Sequence, residues 1–322
     1  MQYKSIKGYN GVAQLGILLV FVGAGLILAT IIQAIIAFQM VPASTSFVNL
    51  NLALQTAFKN PDNIGYIRLM QIMGTFSILF VPVIFYTIIC NGKNMFWLGF
   101  NKYFSIKQIA LGFAIIFTAN MLAGPMQDLS EKVLSYYPSI NTVAKNLENA
   151  YNDQVNMLSH LQGAADFFLA LVIMAFLPAL FEEMFFRGAL QQLLSKWWKQ
   201  PLAAIIVTSV IFSMIHMSIY LFLSRLVLGF ALGWMYHATK NIWVNTIAHF
   251  LNNAMAVIQM YIMSGTKNKI DVSKLDPKIP WWLGVFSLLF LVYLFTALRK
   301  QSEHNKVRME QKEQELLEEY QQ

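Results

Sequence analysis

Apolar residues run along this chain in eight long blocks, at about 11–38, 68–90, 105–125, 164–186, 202–219, 222–238, 242–263 and 281–298. Crossing the hydrocarbon core of a bilayer takes about 20 apolar residues of helix, and each block is near that length. Lipid offers no partner to an exposed backbone amide, so each block must satisfy its own hydrogen bonds. A barrel would need segments of alternating polarity, and the blocks show none. The pattern predicts an all-α, polytopic membrane protein with about eight transmembrane helices.

The composition agrees with that reading: 57% of the 322 residues are hydrophobic and only 12% are charged. The chain is expected to form one polytopic domain solvated by lipid. Its first block is too long for a cleaved signal peptide and no small-residue cleavage site follows it, so it should remain as a span.

The net charge of +7 does not point to nucleic acid, because the basic residues are scattered at block ends and not gathered with aromatics in one patch. Membrane lipids are the partners they fit. Lys4, Lys7, Lys93, Lys102, Lys107, Lys196, Lys199, Lys240, Arg299 and Lys300 fall on one side if there are eight spans. Both termini are then expected in the cytoplasm, with Lys267, Lys269, Lys274 and Lys278 opposite, among Asp271 and Asp276. No targeting extension is visible, which favours a bacterial inner membrane. Cys90 has no partner for an internal disulfide and reads as a packing residue. Five segments follow: a three-span region 1–126, a polar outer loop 127–163, a core 164–263, a loop with the last span 264–298, and a charged tail 299–322 that reads as a solvated helix or a disordered end.

The chemistry lies in the polar residues inside the apolar blocks. An ionisable group there costs about 2.5–3.5 kcal/mol on insertion scales and asks for a partner or a function. In "ALFEEMFFRGAL" (179–190), Glu183 and Arg187 are four apart on one helical face and can pair. Glu182 points about 100° away and lacks an intrahelical counter-ion, which suits it to act as a general base. The plainer alternative is that all three charges snorkel to headgroups at a span end. The next block carries Phe212 and His216 four apart. A later one carries Asn245, His249 and Asn253 at intervals of four, a polar stripe on an otherwise apolar helix. Taken singly, each of these residues fits an interhelical hydrogen bond. Together, an unpaired acid, two imidazoles and an amide are the parts of a hydrolytic site. Gly229 and Gly233 form a small-x-x-x-small pair that suits helix packing within one chain or between two.

These residues resemble the motifs of the intramembrane CAAX proteases and bacteriocin-processing enzymes: Glu-Glu-x-x-x-Arg (Glu182, Glu183, Arg187), Phe-x-x-x-His (Phe212, His216) and His-x-x-x-Asn (His249, Asn253), in order over 179–253. The resemblance implies a buried catalytic site in a four-helix core over about 164–263. It further implies an endopeptidase acting on a membrane-associated or lipidated peptide or protein. In that scheme Glu182 and His216 activate water, His249 and Asn253 hold the oxyanion, and Glu183 and Arg187 support the site, with Phe212 and Asn245 beside them. A metal-free glutamate mechanism with no cofactor is favoured. A divalent metal such as zinc, held by Glu182, His216 and His249, is the alternative. Two other functions compete: a non-catalytic membrane immunity or scaffold protein of the same fold, and a transporter using the polar groups as a proton path. The absence of visible repeats counts against the last.

Overall fold

The computed structural model describes residues 3–158, 161, 163–264 and 279–321. The lysines at Lys267, Lys269, Lys274 and Lys278 lie outside these described residues. Among the described residues there is no β-strand, only an isolated bridge between Lys4 and Asn10. Helices occupy all eight apolar blocks: α1 (Gly11–Gln39), then a short α2 (Leu50–Lys59), α3 (Pro61–Asn91), α4 (Ile106–Ser135), α5 (Pro138–Leu158), α6 (Ala164–Trp198), α7 (Pro201–Met214), α8 (Phe222–Thr239), α9 (Ile242–Ser264) and α10 (Trp281–Gln321). Among the described residues, α1, α3, α4, α6 and α10 are long and apolar enough to cross a membrane, whereas α7 is a shorter apolar helix. The protein is an integral, multi-pass, all-α membrane protein.

Three boundaries differ from the sequence reading. The fourth block does not stop near 186 but continues as α6 to Trp198. The fifth ends at Met214 instead of 219, and a turn with Met217 at φ 54° follows it. The polar segment 127–163 is largely helical, because α4 runs on to Ser135 and α5 follows it.

The wide turns inside the long helices have a local cause. In α3 a π-helical stretch (Phe76–Phe80) precedes Pro82, and in α6 another (Leu171–Phe176) precedes Pro178. A proline lacks an N–H and its ring clashes with the carbonyl four residues back, so widening the preceding turn relieves both problems without breaking the helix. A third π stretch in α6, Met184–Gln191, has no proline after it. It begins beside Glu182 and Glu183 and carries Arg187 and Gln191.

Two apolar clusters flank that stretch. One joins α1, α3, α6 and Phe212 of α7, and the other joins α4, α8, α9 and α10. Where α8 meets α6 and α7, the packing depends on the two glycines. A Cβ on Gly233 would sit 2.9 Å from Ile205 Cγ2 and 3.0 Å from Gln191 Oε1, and one on Gly229 would sit 3.2 Å from Phe212 and Ser209. The small-x-x-x-small pair thus brings helices of one chain together.

One end of the molecule gathers the basic residues. Lys7 N–H donates to Cys90 O (3.1 Å), Asn101 Nδ2 to Lys240 O (3.0 Å), and Lys196 pairs with Glu313 on α10 (3.2 Å). The charged tail is the continuation of α10. Gln108, which closes the capping box of α4 with Ser105, also donates to Ser302 Oγ (2.9 Å) and accepts from Asn305 Nδ2 (2.8 Å), tying the tail down.

Candidate active site

Glu182 and His216 come from helices that meet at the turn after Trp198. Because α6 continues to Trp198 and α7 starts at Pro201, Glu182 lies sixteen residues before that turn and His216 fifteen after α7 begins. At about 1.5 Å per residue the two stand at nearly the same height. A fourth span ending near 186 would instead have set them more than 10 Å apart. His249 joins them from α9. The aromatic ring of Phe212 is the common wall: its centroid lies 4.8 Å from that of His216 and 6.2 Å from that of His249, and the Arg187 guanidinium sits 4.9 Å above it.

Glu183 is wholly buried and fully partnered. Its Oε1 takes Arg187 at 3.0 Å and His249 Nδ1–H at 2.9 Å, while Oε2 accepts from Asn245 Nδ2 at 3.1 Å. Arg187 in turn donates to Gly229 O (3.1 Å), and Gln191 one turn on donates to Gly233 O (2.9 Å). At Gly233 a side chain would crowd Gln191 itself, and at Gly229 it would press on Phe212 and Ser209 beside the Arg187 bond. Asn245 also donates to Leu232 O (2.7 Å). A buried carboxylate needs this much compensation, since the desolvation penalty is several kcal/mol per ion.

Glu182 is placed differently. Its side chain is 13% exposed, and its nearest ionic partner is His249 Nε2 at 3.8 Å, too long for a direct hydrogen bond but of a span that one water can bridge. His216 sits on the turn after α7 and donates its Nδ1–H to Phe212 O (2.6 Å), which leaves Nε2 as the free ring nitrogen. Glu182 and His249 are both within electrostatic reach of it. Asn253, one turn beyond His249, accepts from Asn252 Nδ2 at 3.3 Å, and its own Nδ2 has no partner among the described residues. All eight residues singled out in the sequence therefore lie on α6, on α7 and its closing turn, or on α9.

Among the described residues no group of three His, Cys, Asp or Glu side chains is gathered closely enough to hold a metal ion. His249 and His216 each use Nδ1 on an acceptor, Glu183 and the Phe212 carbonyl, which leaves both Nε2 atoms able to meet a water or a ligand, and the chemistry below is written with the chain's own groups.

Sequence reasoning missed the layer that holds the His216 turn. Arg225 of α8 donates to His216 O (3.2 Å) while its guanidinium lies 5.0 Å over Tyr151 of α5. Ser218 donates to Glu148 (2.8 Å) and Tyr220 to Asn141, both on α5. The signal was an arginine near the start of a helix otherwise poor in charge, "FLSRLVLGFALGWMYHAT". The polar segment 127–163, given no role by its sequence, packs over the turn that bears His216.

No curated protein and no solved structure matches this chain. Residues 164–255, the stretch that holds all three motifs, match the family of type II CAAX prenyl endopeptidase Rce1-like proteins, a match that supports the resemblance of the motifs to the CAAX protease and bacteriocin-processing family.

Proposed function

We propose that the protein is an intramembrane endopeptidase that hydrolyses a peptide bond in a membrane-associated or lipidated protein or peptide. The observation that carries this reading is the gathering of His216 and His249 against Phe212, with Glu182 3.8 Å from His249 Nε2 and Glu183, Arg187 and Asn245 bonded together behind them.

Water bound between Glu182 and the free Nε2 of His216 gives up a proton as its oxygen attacks the scissile carbonyl carbon. The carbonyl oxygen becomes an oxyanion, held by Asn253 Nδ2–H and by His249 Nε2–H in the doubly protonated ring. Glu183 accepts the other ring proton and orients the imidazole. As the carbon–nitrogen bond breaks, the proton taken from water passes to the leaving amine, and two shorter chains with a new carboxylate and a new amine are released. No cofactor is invoked. The basic end with Lys7, Lys196, Lys240 and the tail supports a cytoplasmic position for both termini, in a bacterial inner membrane.

The test is quantitative mapping of protein and peptide termini in host cells carrying the intact chain and in cells with equal amounts of Glu182→Gln. Specific termini should disappear in the variant, and the residues around the lost cuts identify the substrate. Unchanged termini, with a phenotype on deletion of the protein, would replace the enzyme with a scaffold.

A further inference from the structure

Away from the site, a cavity of about 330 Å³ opens between α8 and α10, lined by Trp234, His237, Ala238, Arg299, Glu303 and Lys306. On α10 the apolar run ends at Leu298 and Arg299 is its first charge. Trp234 packs on Phe295, on the apolar side of that boundary, with ring centroids 5.7 Å apart. The cavity therefore spans the depth at which hydrocarbon gives way to headgroups, where tryptophan concentrates in membrane proteins.

The lining is uncommitted. His237 Nδ1 is buried and has no hydrogen-bond partner among the described residues. Arg299 has no ion pair among them, and Lys306 has only an exposed contact to Glu310 at 4.0 Å, a type of pair worth little. Arg299, Glu303 and Lys306 recur at intervals of four and three and so share one face of α10. The charges acting on His237 are Lys240, Lys306 and Arg299, so the cavity is electropositive on balance, with Glu303 as the acid in its lining.

We propose that this cavity binds the headgroup of a bilayer phospholipid that carries hydrogen-bond donors. The phosphate lies against Arg299, Lys306 and His237, the guanidinium fork matching two phosphate oxygens. Glu303 accepts from the ammonium or hydroxyl hydrogens of the headgroup, which accounts for an acid in a cationic site. The acyl chains extend from the headgroup into the bilayer alongside α10, past the exposed Val285, Leu288 and Val292, which share the helix face of Arg299, Glu303 and Lys306.

The experiment is native mass spectrometry of the full chain, titrated with phosphatidylethanolamine, phosphatidylglycerol or phosphatidylcholine. One copy of either of the first two should be retained more strongly than phosphatidylcholine, which offers no N–H or O–H. Arg299→Gln with Lys306→Gln should weaken that copy at least tenfold, as should Ala238→Trp, which fills the cavity and leaves the charges in place. Lys102→Gln with Lys107→Gln removes equal charge elsewhere on the same end and should change nothing. Millimolar inorganic phosphate should not displace the lipid. Unfolding temperatures show whether Ala238→Trp perturbs α8, in which case the charge pair decides alone. Three results would each overturn the proposal: equal loss in both lysine-containing double variants, equal retention of phosphatidylcholine, or displacement by phosphate, which would make the cavity a site for free anions.

Discussion

The two sides of the site, formed by adjacent glutamates of one helix, are built on opposite terms. Behind His249, Glu183 spends both carboxylate oxygens on Arg187, His249 and Asn245 and has no exposed surface. In front of it, Glu182 reaches only His249 at 3.8 Å, His216 keeps Nε2 free, and Asn253 keeps its amide hydrogens free among the described residues. Burial of a charge in a membrane is tolerable when it is closely compensated, and both Glu183 oxygens are met on the closed side, although Asn245 Oδ1 and Gln191 Oε1 stay without a hydrogen-bond partner among the described residues. Chemistry needs valences left over, and these collect on the open side. In the proposed mechanism stability falls to Glu183 and reactivity to Glu182, the same division that their spacing to Arg187 suggests in the sequence.

Substitutions can break that contrast, and the largest effect belongs to the closed side. Glu183→Ala removes the carboxylate that pairs directly with Arg187 and His249, and removing one member of a buried pair costs about 3–5 kcal/mol. Reversible unfolding in detergent should show this loss, and a variant as stable as the parent would mean that Arg187 finds compensation elsewhere. On the open side, Glu182→Gln keeps shape and removes the base, so turnover should fall by about 10²–10⁴ with an unchanged unfolding midpoint. Asn253→Ala removes one oxyanion donor and should lower kcat by about 10²–10³, with KM for the mapped substrate little moved. A KM effect alone would make Asn253 a substrate-binding residue.

The smallest effect sharpens the comparison instead of breaking it. Arg225→Ala loosens the carbonyl of His216 without touching the reacting atoms, so kcat should fall about tenfold, or about 1.4 kcal/mol. Arg225→Lys, which keeps a donor, should restore part of it. Equal failure of both variants would point to the packing of Arg225 on Tyr151, and not to its hydrogen bond.

Much of this was legible because it rests on hydropathy and spacing. All eight apolar blocks are helical, and the three motifs converge because intervals of four keep residues on one face. The end of α7 at Met214 was not legible, because "IHMSIYL" contains no glycine or proline to announce a turn and Met217 takes its positive φ without a Gly signal. Nor was the extension of α6, since a bilayer-length window stops where polar residues begin. Arg187 is accommodated beyond that point by Glu183, the Phe212 ring and the Gly229 carbonyl, and Gln191 by the Gly233 carbonyl. Pro82 and Pro178 follow two of the three wide turns, a signal present in the sequence but not used in reading it, and the third, at Met184–Gln191, has none.

The most direct test of the contrast between the two glutamates is to purify Glu182→Gln and Glu183→Gln side by side. Their unfolding midpoints and their cleavage of a peptide spanning a cut found in the termini map are then measured. The account predicts that Glu182→Gln unfolds with the parent and is inactive, whereas Glu183→Gln unfolds earlier and, below its midpoint, still cleaves. Cleavage at the parental rate by folded Glu182→Gln would contradict it.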